Sequence, residues 1–218
     1  MENKKKPFYK KWWFWLLAII IIGVIAGVGS SSDNSSSGEQ NVNNSSSSEQ
    51  NVNTSSENEN WYRSGTYKVG TDIKAGEYLV ECVAFNCYIQ VSKDSSGTLD
   101  SIVSNDNLTT RTYITLLDGQ YFKVTGGKFI EEQKANKYST SNEYLAQGMY
   151  KVGKDIEPGE YKIIADDSNC YIEISKDSFH ILGSIVANDN ISLNETTYVT
   201  VSDGQYLKVN GGKIYKSN

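Results

Sequence analysis

From residue 65 onward, apolar and polar positions alternate in runs of four to eight residues, broken by Gly, Pro and Asp. That is the pattern of half-buried strands and tight turns, and no stretch has the spacing of an amphipathic helix. The pattern also recurs. GTYKVGTDIKAGEY (65–78) returns as GMYKVGKDIEPGEY (148–161). Aligning residue n with n+83 gives 25 identities over the 43 positions from 65 to 107; with n+85, 11 of the 17 positions from 113 to 129 match. The chain is therefore expected to hold two copies of one domain, residues 61–131 and 144–218, joined by a polar connector at 132–143. Each copy reads as a small antiparallel β-sandwich or jelly roll, an all-β fold. Glu157-Pro158-Gly159-Glu160 fits a type II turn, while Asp118-Gly119 and Asp203-Gly204 suit hairpins.

Differences between the copies assign faces. Lys162 stands where the first copy has Leu79, so this position is read as facing water. Tyr78, Val80 and Cys82, with Tyr161, Ile163 and Ala165, then point inward. By the same alternation Cys87, Ile89 and Val91 face the core with Cys170, Ile172 and Ile174. So do Ile114, Leu116, Val199, Val201, Leu207 and Val209. Six tyrosines fall on outer faces: Tyr88, Tyr113 and Tyr121, matched by Tyr171, Tyr198 and Tyr206. The opening motif reads as architecture, with Tyr67 and Val69 entering the core and Gly70, Asp72 and Gly76 turning the chain.

The first 60 residues have another texture. WWFWLLAIIIIGVIAGVG (12–29) carries no charge, and 18 helical residues span about 27 Å, close to a bilayer core. Trp12, Trp13 and Trp15 suit the interface, and the five lysines of residues 1–11 favour a cytoplasmic N-terminus. A single-pass membrane anchor is expected, with later residues extracellular; a cleaved secretory signal is the alternative. No lipobox cysteine and no sortase-like signal is seen. Residues 30–60, rich in Ser and Asn, are too polar to fold and read as a disordered linker reaching about 30 Å.

Charge narrows the partners. Residues 148–214 hold six lysines against ten acidic residues, which disfavours nucleic acid. Candidate chemistry is sparse. His180 is the only histidine, its counterpart is Gly97, and it reads as a loop or core residue. No zinc, nucleophile-elbow or redox motif occurs, so neither catalysis nor a metal or other cofactor is expected, although carboxylate pairs suited to glycoside hydrolysis stay open. Ser104-Asn105-Asp106-Asn107 and Ala187-Asn188-Asp189-Asn190 offer oxygen ligands but read as turns. Cys82 and Cys87 flank a four-residue turn and can form a local disulfide, or else stay as thiols like Cys170.

The pattern G-x-Y-x-V-G-x-D-I-x-x-G-E-Y, followed by D-G-Q-Y, resembles uncharacterised modules in surface proteins of Gram-positive bacteria. These often have one membrane helix and a polar linker. The resemblance implies location and architecture and carries no catalytic residues. A binding or adhesion protein is thus expected, meeting cell-wall polymer, glycan or a surface protein through the outer tyrosines. A scaffolding or envelope-sensing role is the alternative, and an extracellular hydrolase a third.

Overall fold

The computed structural model describes residues 61–217. The expected membrane helix at 12–29 and the linker at 30–60 lie outside them. Among the described residues there is no α-helix, and no helix is long and apolar enough to cross a membrane.

The first module contains β1 (Gly65–Lys68), β2 (Gly76–Cys82), β3 (Cys87–Ser92), β4 (Ile102–Leu108), β5 (Arg111–Leu116), β6 (Tyr121–Thr125) and β7 (Gly127–Glu131). They form two antiparallel sheets, ordered β1-β6-β3-β4 and β5-β2-β7. The second repeats this with β8 (Gly148–Lys151), β9 (Gly159–Ala165), β10 (Asn169–Ser175), β11 (Ile185–Ser192), β12 (Thr196–Val201), β13 (Tyr206–Asn210) and β14 (Gly212–Lys216). Its sheets run β8-β13-β10-β11 and β12-β9-β14. Registers repeat too, since Tyr67 pairs with Phe122 as Tyr150 pairs with Leu207.

Within each module the two sheets enclose an apolar core, as the alternation predicts. Val80, Ile89, Ile114, Phe122, Val124 and Phe129 are buried in the first. Ile163, Ile172, Val201, Leu207, Val209 and Ile214 are buried in the second. The opening motif has a steric reason to recur. Gly70 adopts φ 88°, and a Cβ there would lie 1.8 Å from Oδ1 of Asp118. Gly153 meets Asp203 in the same way, at 1.9 Å. The glycine and the hairpin aspartate are thus one packed unit, which ties the GTYKVG turn to the DGQY turn.

Two expectations are corrected. The Asn-Asp-Asn segments are not turns: Asn105–Asn107 lie within β4 and Asn188–Asn190 within β11. Both strands are sheet edges, where a polar strand keeps water on its open side and needs no apolar face to hold it. Leu79 does not face water either. It is 3% exposed, because the outer face of β5-β2-β7 is covered by the second module.

The two modules pack into one unit. Leu79, Tyr113 and Ile130 from the first meet Met149 and Tyr206 from β8 and β13 of the second, with Ala135 of the connector buried beside them and Trp61 packed against the group. The connector is accordingly not a free tether. It makes a single 3-10 turn at Glu132–Lys134, and the ring of Tyr138 packs edge-on against Tyr150 at 5.0 Å.

Candidate functional site

The described residues that converge from distant parts of the chain do so where the modules meet. On β5 the side chain of Arg111 is 7% exposed and pairs with Asp155 of the second module, Nη2 to Oδ2 at 3.1 Å. The same Oδ2 accepts the Tyr113 hydroxyl at 2.7 Å and the Lys151 backbone N–H at 3.1 Å; Oδ1 accepts the Tyr138 N–H at 3.2 Å. The guanidinium also lies over the rings of Tyr138, Tyr150 and Tyr113, 4.7 to 5.6 Å from their centroids. This charge is held by one carboxylate and three aromatic faces.

Glu77 on β2 gathers three donors from the second module: Lys151 Nζ at 2.6 Å, Ser178 Oγ at 2.6 Å and Tyr206 Oη at 2.5 Å. Lys151 reaches Glu132 as well, at 3.2 Å, and Lys154 joins that carboxylate at the same distance. At the β4 edge, Asp106 takes Lys208 Nζ at 2.5 Å and faces Nδ1 of His180 at 3.4 Å. Nε2 of His180 lies 2.7 Å from the Tyr113 carbonyl. His180 holds φ 56° where its counterpart Gly97 holds φ 71°. A position in the left-handed region thus carries histidine only in the copy whose side chain reaches across to the other module.

The environment follows from this packing. Burial, together with the Asp155 charge, pushes the Tyr113 hydroxyl far above its ordinary range, and burial with donation to Glu77 does the same for Tyr206. Both therefore stay neutral donors. Burial alone would raise Asp106, but the His180 hydrogen bond and the Lys208 charge hold it below the usual carboxylate range. Glu132 is lowered by its two lysines against the same opposing effect of burial. Since docking depresses both carboxylates, their stabilisation is full above the unfolded carboxylate range and is lost as pH falls through the depressed values. Thermal melts from pH 6 to pH 3 are expected to lose stability below about pH 4, and Asp106→Asn to flatten that slope. Parallel profiles for the two proteins would contradict this assignment.

The six outer tyrosines separate into three pairs. Tyr113 and Tyr206 are 0% and 5% exposed; they belong to the packing between modules and are not open to a ligand. Their counterparts differ. Tyr198 is 58% exposed and Tyr121 half-buried, because the sheet faces that bear them are uncovered. Tyr88 and Tyr171 form the third pair and keep matching hydrogen-bond partners in both modules, although Tyr171 also lies near Asp106 of the first module. The Tyr88 hydroxyl donates to Gln90 at 2.8 Å and that of Tyr171 to Glu173 at 2.6 Å. Asn105 Nδ2 donates to the Tyr88 hydroxyl at 3.3 Å. Burial and donation to Glu173 raise Tyr171 to about 12.

Cys82 and Cys87 are joined by a disulfide with Cα atoms 5.5 Å apart, at the base of a hairpin tip on which Phe85 is 92% exposed. Cys170 is buried, and burial raises its thiol to about 11, so it packs as a small apolar side chain. Among the described residues no group of His, Cys, Asp and Glu is arranged to hold a metal ion. A cleft of about 170 Å³ is lined by Glu77, Glu131 and Glu132. Its carboxylates are paired with Lys151, Lys134 and Lys154, and Glu131 and Glu132 are lowered. A general acid needs the opposite shift.

A family model described as the Rv1352-like extracellular domain matches residues 57–127 and 142–208, one match on each module. No curated protein and no solved structure matches the chain.

Proposed function

The chain belongs to the Rv1352-like extracellular domain family and carries that domain twice; on that premise we propose that it is a binding or adhesion protein presenting two equivalent contact surfaces. The observation that carries this reading is a patch on the outer side of the four-stranded sheets that recurs in both modules without serving either core. Tyr88 and Tyr171 lie on it, bordered by Asn105 and Asn188. Leu99 and Leu182 are 73% and 89% exposed at the neighbouring loop, and Val103 and Val186 are exposed on the edge strand. Exposed apolar side chains at matching places in both copies have no packing reason to recur and suit a contact surface.

Tyrosine rings held by amide and carboxyl partners present a flat apolar face with a polar tip, which fits a glycan or peptide of the envelope. Two such sites on one rigid unit raise effective concentration, so weak single contacts suffice. The apolar run at 12–29 would hold both at the membrane.

The test is retention of the full chain on isolated cell-wall fractions. Tyr88→Ala or Tyr171→Ala alone is expected to weaken retention about 100-fold through lost bivalency. The double variant should lose it. Unchanged retention of the double variant would overturn the proposal.

A further inference from the structure

The contact between the modules is of the head-to-tail kind. The outer face of β5-β2-β7 in the first module meets the outer face of β8 and β13 in the second. Both modules contain both kinds of face, so each chain retains one of each that its own packing does not use. These are the outer face of β12-β9-β14 on the second module and that of β1 and β6 on the first. A contact between unlike faces does not close on itself in a pair; repeated, it makes a ring or an open row.

The unused faces keep part of the polar half of the interface; the Arg111–Asp155 pair is not repeated, since Thr196 stands in the place of Arg111. Glu77 is matched by Glu160, and its three donors, Lys151, Ser178 and Tyr206, are matched by Lys68, Ser95 and Tyr121. The Asp106–Lys208 pair is matched by Asp189 and Lys123. The Tyr113 hydroxyl on Asp155 is matched by Tyr198 and Asp72. Each of these recurring contacts has one member on each module, on its unused face or, for Asp189, on the edge strand β11. Lys68, Lys123, Glu160 and Asp189 are exposed, with the cations on the first module and the carboxylates on the second. At these four positions the modules are complementary in charge as well as in pattern, while Lys162 adds a cation to the second module's face.

What differs is the apolar half, together with Arg111, His180 and Lys154, which are replaced by Thr196, Gly97 and Thr71. Leu79, Ile130 and Met149 are replaced by Lys162, Tyr215 and Thr66. Hydrogen bonds and ion pairs set orientation, whereas buried apolar anchors supply most of the affinity. We propose that the second module of one chain docks on the first module of another, repeating between chains the geometry found within one. The occupant of both free faces is a second copy of this chain. The contact is specific but weak, so it forms where chains are concentrated on one surface. Tyr88 flanks the first of these faces, on β3 beside β6, so a cross-link between Lys68 and Glu160, and not retention on wall fractions, is what tests this contact separately from the ligand reading.

Zero-length carbodiimide coupling, which joins only an amine and a carboxylate already in contact, tests this directly. The full chain is reconstituted at high density in phosphatidylcholine vesicles, coupled, and mapped by peptide mass spectrometry. An amide between Lys68 and Glu160 of different chains is expected, alongside the internal Lys151–Glu77 amide that reports intact folding. Lys68→Glu and Glu160→Lys should each reduce multimers at least ten-fold, because like charges then meet. Co-reconstituting the two variants should restore the multimers, since each then offers the other an opposite charge. Absence of the interchain amide in the wild-type chain, multimers undiminished in either single variant, or no recovery in the mixture would each overturn the proposal.

Discussion

Asp155→Ala is expected to destabilise the paired modules by about 3–5 kcal/mol, the range for removing one partner of a buried ion pair. The Arg111 guanidinium would be left without its counter-charge among three tyrosine rings, and its Nε already has no hydrogen-bond partner. Three further donors, from Tyr113, Tyr138 and Lys151, would lose their acceptor. Urea unfolding supplies the number, and the first module supplies the control. Asp72 occupies the same turn and accepts the Lys68 N–H at 2.8 Å, but it meets no arginine. Asp72→Ala should therefore cost only about 1 kcal/mol, an ordinary hydrogen bond. Equal losses for the two substitutions would show that the turn matters and the ion pair does not. Arg111→Met added to Asp155→Ala should recover much of the loss, since an apolar side chain needs no counter-charge there.

Phe129→Ala should cost a comparable amount, about 3–5 kcal/mol, for a different reason. Phe129 is 0% exposed and sits among four rings. It stacks on Tyr62 at 4.9 Å and meets Tyr67, Phe122 and Tyr78 edge-on at 5.0, 5.2 and 5.6 Å. Deleting the ring leaves a cavity walled by large, stiff side chains that cannot collapse into it. In the second module Ile214 takes this place and Leu145 replaces Tyr62, so Ile214→Ala removes fewer atoms from a more adaptable site. The first module should accordingly suffer the larger loss in denaturant melts. A loss below about 1 kcal/mol for Phe129→Ala would mean that the aromatic cluster repacks.

Neither effect is visible in one copy read alone, and the reason bears on what a repeated sequence can reveal. Inward positions such as Val80, Ile89 and Leu207 are apolar in both copies and were legible, because each core must exclude water in the same way. The tyrosines were legible as lying outside their own module. Which of them water reaches was not, since Tyr113 and Tyr198 both stand in the pattern Thr-Tyr-aliphatic-Thr and have opposite exposure. The mismatch of Leu79 with Lys162 suggested a solvent-facing position. With Ile130 against Tyr215 and Met149 against Thr66, it instead marks a face covered in one copy and open in the other. A consistent excess of apolar residues on one outer face of one copy was the available signal. His180 opposite Gly97 carried a related one, a costly side chain at a glycine position.

The Asn-Asp-Asn segments misled for a local reason. Asparagine and aspartate favour turns when nothing else constrains the backbone, but β3 and β10 supply a complete ladder beside these residues. Pairing outweighs the local preference.

The sequence by itself determined the duplication, the strand alternation, the glycine turns and the two apolar cores, because these depend on neighbours within a few residues and on a period of two. Only the tertiary structure decided that the two modules dock through unlike faces. That arrangement sends equivalent tyrosines to opposite environments, and it depends on contacts between residues 37 to 129 positions apart. No local period encodes such contacts; they exist once both sheets have formed and their outer faces meet.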